Sequence, residues 1–240
     1  MYLSADFLDW YSESEGGSYV DTDLLFRGYD IWRHARDRLK VDPSDLDRID
    51  AIGALRRSVN HRLKALRSTY NIDCIPSTLG KKQILERLQE FGIVRSAIIK
   101  DLLDVRNLIE HEDTEPPTLE RCQHYVDIIW YFLKSTDKLL DVRNDDVKFL
   151  HEDGKQFVSV TVDYASGWPF RINANVYPVS ISDAASPLSI LIDEFSSKRV
   201  RGGGGLLWVR GKSSFQKDAL IQLARGCFGA AGYWHDDSDA

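Results

Sequence analysis

Cysteine is scarce in this chain. Cys74, Cys122 and Cys227 are its only three, far apart, and no two stand as Cys-x-x-Cys. That excludes a disulfide framework and a cysteine-based zinc site, and an odd set of reduced thiols points to a cytoplasmic protein. Long apolar runs are missing as well. None approaches the ~20 residues needed to span a bilayer, so no membrane partner is expected. The opening stretch, MYLSADFLDWYSESEGG, has no basic segment ahead of an apolar one and does not read as a secretory leader. No repeat of solenoid period occurs. What remains is 43% hydrophobic and 28% charged over 240 residues. Such a chain can bury a core without disulfides or metals, as one large domain or two modest ones.

The net charge of -6 argues against a general nucleic-acid binder. Its distribution is uneven, however. Residues 1–32 hold one basic and seven acidic side chains, whereas residues 33–100 hold 15 basic and eight acidic. A local basic surface can still meet phosphates on an acidic protein.

Helical periodicity dominates the first part of the chain. Leu24, Leu25, Tyr29 and Trp32 recur at helical spacing within 22–40. Pro43, Ser44 and Asp45 signal a second helix start. Its apolar stripe is Ile52, Leu55, Val59, Leu63 and Leu66, and its outer face carries Arg56, Arg57, His61, Arg62, Lys64 and Arg67. A break containing Pro76 and Gly80 precedes a pattern over about 82–110, with Val94, Ile98, Leu102, Val105 and Ile109 on the core side. Pro116 and Pro117 open a last helix, about 117–140, with Tyr125, Ile128, Ile129, Phe132 and Leu139 inward.

Near 141–147 the pattern turns to period two. KFLHEDGKQFVSVTVDY has an Asp-Gly turn between strand-like runs, and GWPFRINANVYPV, LSILIDEF and LLWVRG read as further strands. SSFQKDALIQLARGCFG closes the fold as a helix. The expected class is α+β: an all-α bundle over 1–142, then a strand-rich α+β domain over 146–234. Gly205-Leu-Leu-Trp-Val-Arg-Gly211-Lys-Ser is not a phosphate loop, because five residues separate its glycines where four are required. His151-Glu152-Asp153 before Gly154 is a hairpin turn rather than a metal site.

The segment with the most chemistry is Asp104-Val-Arg-Asn-Leu-Ile-Glu-His-Glu112. Asp104, Asn107 and His111 stand at i, i+3 and i+7, one stripe of a helix. Arg106 lies about 140° round from His111 but has the reach to join it. Arg56 with His61, and Arg27 with His34, have similar spacings; neither has Asn after the arginine or stands just before the last helix of the bundle.

Arg106-Asn107 with His111 after a short gap resembles the Arg-polar-x3-His signature of the HEPN superfamily (higher eukaryotes and prokaryotes nucleotide-binding). The resemblance covers roughly residues 20–142. It implies a helical domain with a metal-independent endoribonuclease activity, Arg106 and His111 as the catalytic pair and Asn107 as the supporting polar residue. It also implies a homodimer whose two motifs share one cleft, no cofactor, and a role as a toxin or defence effector. In one branch a Tyr follows two residues after the His; here Asp113 stands there, and the modification that Tyr receives is not expected.

These residue types suit RNA cleavage. The 2′-OH is an internal nucleophile, and the reaction needs a base, an acid and a cation for the phosphorane. Histidine exchanges protons near neutral pH, and arginine makes paired hydrogen bonds to phosphate. One His per chain gives one proton-transfer group; two chains give separate acid and base. Arg56, Arg57, Arg62 and Lys64 would line the RNA path. The C-terminal domain would recruit RNA or a regulatory protein partner. The alternative is a catalytically idle module that binds protein or nucleotide for assembly.

Overall fold

The computed structural model describes residues 1–20, 22–74, 84–90, 93–94, 97–112, 115–166, 170–182, 190–196 and 207–212. The helices are α1 (Thr22–Arg38), α2 (Asp45–Thr69), α3 (Ile84–Glu90), α4 (Ala97–Glu112), α5 (Leu119–Ser135) and α6 (Asp137–Asp141). The strands are β1 (Tyr2–Leu3), β2 (Tyr11–Tyr19), β3 (Val142–Leu150), β4 (Phe157–Val162), β5 (Phe170–Val176), β6 (Ile181–Ser182), β7 (Ile190–Ser196) and β8 (Leu207–Lys212). They form two units. One is helical, Tyr19–Thr69 with Lys82–Val142; the other comprises Met1–Ser18, Tyr70–Lys81 and Arg143–Ala240.

The expectation of an all-α N-terminal bundle over 1–142 is corrected by the first nineteen residues, which supply β1 and β2 to an eight-stranded sheet of order β2-β3-β4-β5-β8-β7-β1-β6. Leu3 faces Ile181 on one side and Ile190 on the other, and is 1% exposed. β2, YSESEGGSY, has no apolar alternation, because it is an edge strand held by polar contacts. Ser14 Oγ donates to Asn144 Oδ1 at 2.9 Å, and Lys148 Nζ lies 3.1 Å from Glu15 Oε1. Side chains that pair through hydroxyl and carboxylate leave no period-two hydrophobic signal to read.

Beyond β2 the strands carry such a signal. Val158, Val160 and Val162 of β4, and Phe170, Ile172, Ala174 and Val176 of β5, are buried with Val147 and Phe149 of β3. Leu150 pairs with Phe157 across the hairpin, in antiparallel register. Gly154 takes φ +64° in the turn, where L-residues are strained. Asp153 accepts from Lys155 N at 2.8 Å and Gln156 N at 3.1 Å. The bond from Lys155 is the main reason its carboxyl titrates at about 2. Residues 213–229, expected as a helix, lie outside the described residues.

α2 is the central element of the helical unit. Ile52, Leu55, Val59, Leu63 and Leu66 are all buried. So is a second line of small or polar residues, Ala51, Ala54, Ser58, Arg62, Ala65 and Thr69. α1 crosses this second line closely. Ser58 Oγ donates to Gly28 O at 2.8 Å, and a Cβ at Gly28 would stand 3.3 Å from Leu133 Cδ2. An alanine there needs Leu133 to give slightly and returns about 1 kcal/mol of helix propensity, so Gly28→Ala is expected near neutral. Gly28→Val adds branches with no space, and urea denaturation should show a loss of about 1–3 kcal/mol.

The expected last helix is broken at Thr136, whose Oγ1 donates back to Phe132 O at 2.8 Å. α6 follows, and the chain passes into β3 at Val142. No helix among the described residues is long and apolar enough to cross a membrane.

Candidate functional site

α4 carries Arg106, Asn107 and His111 in its last two turns, and for these three the description is of the backbone. Asp113 lies outside the described residues. Earlier in α4, Ile99 and Leu102 are 3% and 0% exposed, so the helix is anchored on these. Val105 and Ile109 are half-buried and Asp104 is exposed. The apolar line therefore runs Ile99–Leu102–Val105–Ile109, and Asp104 stands off it.

A polar cluster ties α4 to α5 just ahead of the motif. Tyr125 Oη donates to Asp101 Oδ2 at 2.6 Å, and Arg121 Nη2 reaches both Asp101 oxygens at 3.2 Å. Arg121 Nε also donates to Tyr125 Oη at 2.9 Å. Burial first, then the bond to Asp101, pushes the Tyr125 hydroxyl up to about 12. The same bond from Tyr125, followed by Arg121, holds the Asp101 carboxyl below its ordinary value. Both groups thus keep one charge state near neutral pH, and the link does not titrate there. α5 itself starts at Thr118, which accepts from Arg121 N at 3.3 Å, behind Pro116 and Pro117.

The basic face of α2 is partly where the pattern places it. Arg57 and Lys64 are exposed, with Asn60 and Arg67 on the same stripe, and Arg56 is half-buried beside it. Arg57 lies 3.8 Å from Asp50. Arg62 is a correction: it is 0% exposed and belongs to the core. Its Nη2 lies 3.1 Å from Asp137 Oδ1 and 3.3 Å from Leu25 O, and its guanidinium sits 5.5 Å from the Tyr29 ring centroid. Its position three residues after Val59 and four after Ser58 puts it on the buried second line. A surface RNA contact is therefore closed to it.

Of the other motif-like pairs, His34 is held by Asp50 at 3.1 Å. His61 is half-buried, and its Nδ1 is shielded with no hydrogen-bond partner among the described residues.

α1 and α5 also enclose a recess of about 610 Å³ lined by Trp32, Trp130, Arg36, Lys40, Gln123 and Asp127 among others. Its indoles are already met by cations, Arg36 at 5.0 Å from the Trp32 ring and Lys134 at 5.9 Å from Trp130. Asp37 in turn takes Arg36 at 3.0 Å and Lys40 at 2.7 Å. No group of three or more His, Cys, Asp or Glu among the described residues could hold a metal ion.

Neither the Asp101–Arg121–Tyr125 cluster nor the Arg62–Asp137 pair was visible in sequence. Each joins residues far apart in the chain, and only the Arg121–Tyr125 spacing of one helical turn gives any local sign. Comparison with protein-family models, characterised proteins and solved structures finds no match to this chain.

Proposed function

We propose that the chain is a metal-independent endoribonuclease of HEPN type, with Arg106, Asn107 and His111 as its reactive set. The observation that carries the reading is the motif's setting. Arg106-Asn107-x3-His111 closes α4 within a helical unit, directly ahead of α5, and the Asp101 cluster steadies that junction. In this reading His111 exchanges the proton of the 2′-OH or of the leaving 5′-oxygen, and Arg106 binds the phosphorane charge. Asn107 orients through its amide. A second copy of the chain supplies the other histidine, so the active form is a homodimer. Products are a 2′,3′-cyclic phosphate and a 5′-OH. A toxin or defence role belongs to the same resemblance.

The test is incubation of the full chain with a mixed RNA pool in EDTA, followed by end-group analysis. Cleavage with cyclic-phosphate ends is expected. Intact RNA would leave the idle binding module as the reading.

RNA would approach along Arg56, Arg57, Lys64 and Arg67 of α2. Reversing Arg57 and Lys64 to Glu should weaken binding of a single-stranded oligonucleotide in fluorescence anisotropy. Losing two phosphate contacts should also flatten the slope of log affinity against log salt by about 1.4. Unchanged binding and slope would make this stripe a solvated face only.

A further inference from the structure

Where α1 crosses α2, Arg27 and Lys64 bring positive charge that no carboxylate among the described residues answers. Two hydrogen bonds fix the crossing: Ser58 Oγ to Gly28 O at 2.8 Å, and Arg62 Nη2 to Leu25 O at 3.3 Å. Arg27 lies between those two acceptors, His61 directly precedes Arg62, and Lys64 follows within the same turn of α2. Arg27 and Lys64 are exposed and form no ion pair among the described residues. The neighbouring carboxylates are occupied. Asp30 holds Arg33 at 2.8 Å, and Asp137 takes Arg62 at 3.1 Å and Tyr29 at 2.7 Å. Asp23, one turn before Arg27, is exposed and already has an interaction partner.

His61 sits among these cations half-buried, with Nδ1 shielded and without a hydrogen-bond partner among the described residues. Burial, then the charges of Arg27, Arg62 and Lys64, lower its pKa, so the ring is neutral at neutral pH. Of the cations around the ring, Arg62 is answered by Asp137, whereas Arg27 and Lys64 have no carboxylate partner among the described residues, and that unmatched charge calls for an explanation.

We propose that Arg27, His61 and Lys64 form a binding site for a tetrahedral oxyanion, either the phosphodiester of a nucleic-acid strand or a free phosphate. Arginine offers paired donors to such an anion, lysine a mobile point charge, and a protonated imidazole a further donor. The buried Arg62 adds field without contact. Bound anion offsets the charges that oppose protonation, so binding takes up a proton at His61. The charged groups nearest the ring are Arg27 from α1 and Arg62 and Lys64 from α2, and His61 is the group followed between about pH 5 and 8. The sign follows: the anion-bound ring titrates higher than the free ring. Affinity is therefore greatest below the free midpoint and falls as pH rises through the bound one. The site rests on the RNA reading only for the source of the phosphodiester, since it does not involve His111.

The experiment is an NMR titration of the histidine rings in the full chain, with His61 assigned by loss of its signal in His61→Asn. Two probes are added separately: sulfate, and a single-stranded oligodeoxynucleotide, which lacks the 2′-OH and is not cleaved. Neither titrates in this range. The His61 midpoint is expected to rise by about one pH unit, a tenfold gain in proton affinity. Arg27→Glu should raise the free midpoint and remove the response to either probe. A rise with both probes assigns a general oxyanion site; a rise with the strand alone assigns the backbone phosphodiester; a rise with sulfate alone assigns a free anion. An unmoved midpoint with both, or a full response in Arg27→Glu, overturns the proposal. Because no RNA is cut, a chain without ribonuclease activity can still pass this test, and an active one can fail it.

Discussion

His111→Ala is expected to abolish RNA cleavage while the protein stays folded. A positioned proton-transfer group is worth typically ~10²–10⁴ in rate, and in a homodimer one substitution removes both copies. Arg106→Ala should cost about 10²–10³, the usual loss for one electrostatic donor to a developing charge. Asn107→Ala should cost less, because a neutral amide orients but transfers no proton at neutral pH. The order His111, Arg106, Asn107 separates chemistry from damage to α4. A helix that frays would lose activity equally at all three. Fold is checked by thermal unfolding, where His111→Ala should keep the wild-type midpoint, since the residue stands in the last turn of α4, beyond the Ile99–Leu102 anchor. His124→Ala serves as the control: His124 is exposed on α5 and belongs to neither proposed site. Wild-type activity should persist in EDTA. Undiminished cleavage by His111→Ala, after rigorous removal of contaminating ribonuclease, sinks the enzyme reading and leaves the idle module.

How far the sequence shows these features depends on the range of the forces behind them. The α2 stripe Ile52–Leu66 was legible because a helix buries what recurs every three or four residues, and all five positions are buried. The Asp153–Gly154 turn was legible because the backbone needs a positive φ and a side chain that accepts from its own loop. β1 and β2 were not. Two residues make β1, too few for any period, and β2 is held by Ser, Glu and Asn contacts whose partners lie more than a hundred residues away. Arg62 was misplaced for a related reason. Read alone, an arginine on a basic helix is a surface residue. Its burial depends on the small residues Ala54, Ser58 and Ala65 beside it and on Gly28 across from it, which let α1 come close. That small-residue seam was in the sequence, but its partner could not be known from α2. The motif residues are a different case: their chemistry reads from identity and spacing, while the cluster that steadies α4 depends on Asp101 meeting α5 in space.

The buried Arg62 gives the largest expected effect on stability. Its guanidinium is 0% exposed, whereas the Asp137 side chain is 25% exposed, so the two ends of the pair are not equivalent. Asp137 also accepts from Tyr29 Oη at 2.7 Å and lies 3.4 Å from Lys134 Nζ. If Arg62 is removed, the carboxylate still has Tyr29, Lys134 and some water. If Asp137 is neutralised, the buried cation loses the carboxylate that lies 3.1 Å from its Nη2. Asp137→Asn keeps the shape and should therefore cost the most, about 3–5 kcal/mol, as breaking one side of a buried pair does. Arg62→Met fills much of the same volume with apolar atoms and should cost clearly less, because it also removes a charge that had to be desolvated. In the double variant Arg62→Met with Asp137→Asn, the buried cation that makes Asp137→Asn costly is gone. The double should unfold close to Arg62→Met alone, which denaturant titration of all four proteins measures as a coupling of several kcal/mol. Additive losses would mean that water reaches the guanidinium in solution and that the pair is an ordinary surface contact. Arg62 also donates to Leu25 O at the α1–α2 crossing, and its charge is one of those that lower the His61 pKa, so the His61 midpoint followed by NMR should rise in Arg62→Met.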